Sequence, residues 1–257
     1  MIASLGMYDF PPLQRANDRL WMTIRDRLRA MGIAAPDCLT RGVQAYWHAW
    51  QSPNLVLSQT CGFPFRARLH DRVVLVGTPD FGIDGCRPGH YRSVFVARAD
   101  DTRATLAEFS GSRFAFNEDL SQSGWAAPQN HAAAWGLQFP PAIRTGAHHL
   151  SAQAVAEGRA DLAAIDAVTW ALLVRHDEVT SDLKVVGQTD PTPGLPYISG
   201  PGSNADALFA AVSAAISGLT EADRDLLHLR GFVRIPAAAY LAVPIPRAPE
   251  AIELATF

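Results

Sequence analysis

The sequence predicts a two-lobed α/β protein in which helices cover both faces of mixed, mostly parallel sheets. Three observations carry this reading. Strand and helix signals alternate along most of the 257 residues, the pattern that lays crossover helices over parallel strands. The chain is long enough to bury one large core or two smaller ones. Two passages, 91–99 and 188–196, read as exits from one lobe to another.

The elements follow in order. Ile2–Met7 reads as a strand, closed by Tyr8 and Asp9 ahead of the turn at Pro11 and Pro12. From Asn17 to Met31, the residues Leu20, Trp21, Ile24, Leu28 and Met31 share one helical face, with Arg25, Asp26 and Arg29 opposite. Gly32 stops that helix. The apolar runs Leu55–Ser58 and Val73–Gly77 read as buried strands, followed by strands at Tyr91–Ala97 and Arg113–Asn117. In the second half come a helix at Leu150–Ala160, a strand at Leu162–Ile165, a helix at Ala167–His176 and a strand at Lys184–Gly187. A Pro/Gly-rich passage, 190–202, leads to an Ala-rich helix, Asn204–Ser217, capped by Ser203 or Asn204. The two exits make the first lobe discontinuous, 1–92 with 188–257, and the second an insertion, 93–187. In such folds the ligand sits in a crevice at the carboxyl ends of the strands.

Composition narrows the function. Hydrophobic residues make up 48% and charged residues 18%, and the formal net charge of -3 leaves no basic excess for nucleic acid. No run of eighteen apolar residues occurs, so no membrane insertion is expected. The opening Met1-Ile-Ala-Ser-Leu-Gly shows neither a basic n-region nor an apolar h-region. The expected location is therefore periplasmic if a leader was removed or lies outside this chain, and otherwise cytoplasmic. Three cysteines, Cys38, Cys61 and Cys86, are too few for a disulfide scaffold. Cys61 and Cys86 both follow first-lobe strands, and a bridge between them is a feasible expectation. No G-x-S-x-G elbow, H-E-x-x-H, P-loop or dinucleotide fingerprint occurs. Cys86 and His90 have ligand-like spacing, but two residues do not make a zinc site, and no cofactor or metal is expected.

The polar residues with chemical promise cluster at strand ends. After the strand that ends at Asn117, Ser121-Gln122-Ser123-Gly124 opens a helix. Serine hydroxyls and exposed N–H groups at a helix start suit a phosphate or carboxylate, and Gly124 lets the backbone approach it closely. The same serine also reads as an ordinary N-cap. Asp166 closes a strand and either faces the ligand or caps the helix from Ala167. His148 adjoins a turn as a hydrogen-bond donor. Trp125, beside the serines, is the tryptophan placed to stack on a ligand.

Thr60-Cys-Gly62, Gly89-His-Tyr-Arg-Ser93, Ser121-Gln-Ser-Gly124, Thr145-Gly-Ala-His148, Gly158-Arg-Ala-Asp-Leu-Ala-Ala-Ile-Asp166 and Thr192-Pro-Gly194 together, in this order and spacing, carry a resemblance. The chain resembles the phosphate/phosphite/phosphonate substrate-binding family of ABC transporters, whose fold is that of the type 2 periplasmic binding proteins. The resemblance implies that Tyr91 contacts the oxyanion, that Ser121, Gln122 and Ser123 grip its oxygens, that His148 donates to it and that Asp166 lies near the ligand. Tyr8, Asp9 and Thr60 are expected to face the cleft from the first lobe. Where the family's phosphonate binders usually carry a small hydroxyl residue, this chain has Gln122, which alters the pocket's size or its preferred oxyanion. The implied function is binding of a small anionic ligand for an ABC transporter permease, by a monomer that closes around it. Two alternatives share the fold: a leaderless cytoplasmic enzyme of cofactor biosynthesis, with His148 or Asp166 as general acid or base, and a sensory ligand-binding module.

Overall fold

The computed structural model describes residues 1–249. Its strands are β1 (Ile2–Ser4), β2 (Leu55–Gln59), β3 (Val74–Asp80), β4 (His90–Tyr91), β5 (Ser93–Arg98), β6 (Phe114–Phe116), β7 (Pro141–Arg144), β8 (Leu162–Asp166), β9 (Leu183–Gln188), β10 (Thr192–Pro193), β11 (Tyr197–Ser199) and β12 (Gly231–Val233). The chain divides into two compact units. The first is Met1–His90 with Pro193–Ala242, and the second is Tyr91–Thr192 with the segment that begins at Val243. That last segment departs from the expectation that everything after 188 belongs to the first lobe. Hydrogen bonds hold it in the second unit, where Asn130 Nδ2 donates to Pro244 O and Trp125 Nε1 to Arg247 O, each at 3.0 Å.

The first unit is built on a five-stranded sheet of order β1-β2-β11-β3-β12. Only β1 and β2 run parallel; β11 is antiparallel to β2 and β3, and β12 to β3. One face carries a cluster of Ala49, Trp50, Leu55, Phe65, Leu69, Ile198, Ile235 and Tyr240. The amphipathic helix Gln14–Ala30 buries Leu20, Trp21, Ile24 and Leu28, as its periodicity requires, and packs on helix Ala205–Ser217. That second helix lies on β3 and β12, where Phe209 and Phe232 meet at 5.0 Å. Gly77 permits this contact, because a Cβ there would come within 2.6 Å of the Phe232 ring.

The second unit repeats the plan with a sheet of order β7-β6-β8-β5-β9. Here β6 is parallel to β7 and β8, whereas β5 is antiparallel to β8 and β9. The sheets are therefore mixed, with antiparallel pairs more frequent than the repeating strand–helix pattern predicts. The reason is that β5 alone runs against its neighbours, opposite in direction to β6, β7, β8 and β9. Phe95, Phe114 and Phe139 form an aromatic core, and Phe116 continues it to Trp125. The parallel strands β6, β7 and β8 all end at one edge of the sheet, and their carboxyl ends place Asn117, Thr145 and Asp166 there.

The opening strand is shorter than the apolar run suggests. It stops at Ser4, and Gly6–Tyr8 forms a single 3-10 turn, so Tyr8 and Asp9 follow a turn instead of closing a strand.

Candidate functional site

The serine turn of the second unit is built by a departure from α-helical winding. Ser121 is the N-cap, and its Oγ accepts from Gly124 N–H at 3.0 Å. The next residues, Gln122–Ala126, wind wider than an α-helix: Ala126 N–H reaches back five residues to Ser121 O at 2.9 Å, and Ala127 N–H reaches Gln122 O. Pro128 explains the loosening, since it has no N–H to offer Gly124 O in an α ladder. The wide register leaves Ser123 O without its helical donor, and Ser93 Oγ supplies one at 2.9 Å. A regular helix, Ala127–Trp135, then continues to Gly136.

Two other strand ends meet this turn. Thr145, after β7, is fixed by four contacts: its N–H donates to Phe116 O, and its Oγ1 meets Phe116 O at 3.1 Å, Ala147 O at 3.1 Å and Ser151 Oγ at 2.6 Å. This fixes the start of helix His148–Ala156, so that His148 Nε2 and Ser123 Oγ share a hydrogen bond of 2.8 Å. Burial pushes the His148 pKa down to about 4, against a smaller opposing effect of the Ala164 carbonyl, and His149 adds to the depression. The imidazole is neutral across the physiological range. Asn117, after β6, accepts from Gly146 N–H at 2.9 Å through its carbonyl, and its side chain lies against Gly124. A Cβ at 124 would stand 1.9 Å from Asn117 Oδ1 and 3.3 Å from His148 Cε1. The glycine is thus needed for close packing, and its φ is not in the left-handed region.

The expected residues fall into distinct groups. Ser121, Gln122, Ser123, Gly124 and His148 come together in one cluster, and the Gln122 amide approaches Thr192 Oγ1 at 3.4 Å. Asp166 is the sheet neighbour of Ser93, and its Oδ1 caps helix Ala167–His176 by accepting from Val168 and Thr169 N–H at 2.7 and 3.0 Å. The capping alternative is thus realised. Tyr91 is buried in β4. Trp125 is 3% exposed, tilted on Phe116 at 4.8 Å, with its N–H donated to Arg247 O, so it serves packing instead of presenting a face for stacking.

Three expected residues belong to the first unit. Tyr8 is buried edge-on against Phe81 at 5.0 Å. Asp9 is held by Arg41 at 2.6 Å and by Asn17 Nδ2 at 2.9 Å, which neutralises it locally. Thr60 follows β2, its N–H donating to Pro196 O at 3.0 Å; its Oγ1 is fully buried with no hydrogen-bond partner among the described residues. The expected Cys61–Cys86 bridge is absent, and all three cysteines are thiols. Cys61 is buried at the start of a helical turn, whereas Cys86 closes its own turn by donating to Ile83 O, in a loop tied to Asp80 through Gly82 and Gly89. The two are anchored by separate hydrogen-bond sets.

Ser93, Asn117 and Thr145 were not singled out individually from the sequence. Asn117 has a positional signal, as a polar residue directly after a buried apolar strand, whereas Ser93 opens its strand and Thr145 follows the half-buried β7, which has no apolar run to mark it. Among the described residues no group of three or more His, Cys, Asp or Glu is arranged to hold a metal ion, and no helix is long and apolar enough to cross a membrane.

Comparison with known proteins identifies the family and the fold. A family model described as the periplasmic substrate-binding protein of phosphonate ABC transporters matches residues 50–240. No curated protein matches the sequence. Among solved structures, PhnD1 from Prochlorococcus marinus in complex with methylphosphonate is similar at 16% identity, with a TM-score of 0.70 over 93% of this chain and 94% of that one. A protein from Xanthomonas citri bound to chloride follows at 15% identity and 0.69, covering 93% and 92%. A binding protein component of an ABC phosphonate transporter from Pseudomonas aeruginosa gives 15% and 0.62, covering 90% and 80%. At these identities the structures attest to the fold, a mixed α/β periplasmic binding protein. The match of the family model over most of the chain goes further: this protein belongs to the family of periplasmic substrate-binding proteins of phosphonate ABC transporters.

Proposed function

We propose that this chain binds a ligand bearing a small oxyanion (phosphate, phosphite, phosphonate or a phosphate ester) at its serine turn, as the monomeric solute-binding component of an ABC-type uptake system. The family is that of the substrate-binding proteins of phosphonate ABC transporters, and the Pseudomonas aeruginosa neighbour is described as a binding protein component of such a transporter. The observation that carries the ligand class is the Ser123–His148 pair beside a serine-capped turn. A cluster of hydroxyls and an uncharged imidazole offers hydrogen bonds to an anion at little desolvation cost, because none of its members is charged before the ligand arrives. The partner is then a transporter permease, and the place of action is the periplasm, the usual location of this family.

Thermal unfolding with a panel of phosphate, phosphite, methylphosphonate and a phosphate ester tests the reading. A bound ligand at a hundredfold over its Kd adds about 2.7 kcal/mol. Ser123→Ala removes a hydrogen bond to a charged group, worth about 1.5–3 kcal/mol, and weakens binding by roughly ten- to a hundredfold. Asp166→Asn keeps the helix cap and leaves the affinity for inorganic phosphate unchanged. If no member of the panel shifts the transition, or if the Ser123 variant binds as well as the parent, the serine turn is not the anion site.

A further inference from the structure

The residues that make the serine turn carry more than donors. Asn117 Oδ1 is buried with no hydrogen-bond partner among the described residues, and it fills the space that a side chain at 124 would take. An acceptor in that state is costly unless something donates to it. A fully deprotonated oxyanion has only lone pairs, and it would be repelled there.

The charge around the turn points the same way. The residues that form and brace it (Ser93, Ser121, Gln122, Ser123, Thr145 and His148) include no lysine or arginine. Arg144, at the end of β7, is already engaged by Glu118 at 2.7 Å and Asp119 at 3.3 Å, the two acids that precede the turn. Asp166 closes β8 beside Ser93, and His149 adjoins His148. Neither the turn nor Arg144 offers a free guanidinium or ammonium to balance a dianion, and a buried charge left unbalanced is expensive.

We infer that the site selects the singly charged, proton-bearing form of its oxyanion, with Asn117 Oδ1 accepting the proton-bearing hydroxyl while Ser123 and its neighbours donate to the remaining oxygens. This rests on the reading of the serine turn as the anion site. It makes Asn117 a specificity-determining residue: the ligand must be both acceptor and donor. As monoanions, which prevail below their second ionisation, methylphosphonate and phosphate meet both the charge and the donor requirement; methylphosphonate loses its last proton above that point, phosphate becomes a dianion, and sulfate is doubly charged with no proton.

The experiment is calorimetric titration of the full chain with methylphosphonate and with sulfate from acid to alkaline pH. Methylphosphonate affinity is expected to fall about tenfold per pH unit above its second ionisation, as the bound proton requires, and sulfate is expected to bind at least tenfold more weakly. Asn117→Ala flattens the pH slope and narrows the gap between the two anions. A merely structural role for Asn117 would weaken both anions together and leave the slope intact, and that result overturns the inference. So does a parent protein whose affinity is independent of pH or equal for sulfate, a readout that needs no variant to fold. If neither anion nor phosphate binds at all, the underlying site assignment fails instead, and the inference with it.

Discussion

Replacing Gly124 by alanine sets two effects of known size against each other. In a helical turn, alanine is favoured over glycine by roughly 0.5–1 kcal/mol, because it loses less backbone freedom on folding. At this position the new Cβ meets Asn117 Oδ1 at 1.9 Å and Asn117 Cγ at 3.0 Å. Overpacking of this kind costs about 1–3 kcal/mol, so the net expectation is a destabilisation of about 1 kcal/mol, with weaker anion binding as Asn117 is pushed from its place. The decisive measurement is a double-mutant cycle by urea unfolding. In an Asn117→Ala background the nearest remaining neighbour is His148 Cε1 at 3.3 Å, which a small shift relieves. There Gly124→Ala becomes neutral or stabilising, and the coupling between the two sites is about 1–2 kcal/mol. Equal cost in both backgrounds would show that the Asn117 side chain does not occupy the space over Gly124, and the packing argument would fail.

Other substitutions probe separate parts of the structure. Asp166→Ala removes the cap of helix Ala167–His176 and is expected to cost about 0.5–2 kcal/mol in thermal or urea unfolding, whereas Asp166→Asn, an equally good cap, costs a few tenths at most. Tyr240→Phe leaves Thr78 Oγ1, now paired with the tyrosine hydroxyl at 2.6 Å, unsatisfied in the core of the first unit. Its expected loss is about 1–3 kcal/mol of unfolding free energy. The pH dependence follows from His148. Its folded pKa, about 4, lies below the ordinary 6.5, so the unfolded chain takes up the proton first. Stability from this residue is complete above about pH 6.5 and is lost as pH falls toward 4, on the order of 3 kcal/mol in all. His90 and His131, also lowered by burial, act in the same direction. His148→Gln should flatten part of that acid limb in a pH series of unfolding curves; an unchanged limb would mean that the imidazole titrates normally in the folded protein.

Much of the fold was legible because apolar periodicity reports burial directly. The helix expected at 167–176 appears with those bounds, and the strands around Leu55, Val74 and Leu162 sit where the apolar runs place them. Strand direction was less legible: nothing in a run such as Ser93–Arg98 states which neighbour it pairs with, and β5 runs against both of its own. At the site, the serine turn was readable from its own residues, since a capping serine and a glycine three residues on are local signals. The role of Asn117 was not. It depends on the close approach of two strand ends, 117 and 145, and on a widened turn whose cause, Pro128, lies beyond the motif. The expectation that Tyr8 and Asp9 close the first strand failed for a similar reason. An apolar run of six residues permitted a strand through Met7, but the chain turns at Gly6 and hands Asp9 to Arg41.

The strand order of the first unit has a consequence for how this protein is made. β11 lies in the middle of its sheet, between β2 and β3, yet it is translated only after the whole β5–β9 sheet of the second unit has emerged. A nascent chain therefore holds the edges of β2 and β3 without their central partner while the second unit, whose sheet comes from one continuous stretch, is already able to form. Long-range pairing of this kind is slow, and unpaired edges invite other strands. The late arrival of three residues, Tyr197–Ser199, sets when the first sheet can close, and truncation before that point is expected to yield a second unit with its sheet formed but without the segment from Val243, attached to an aggregation-prone first one.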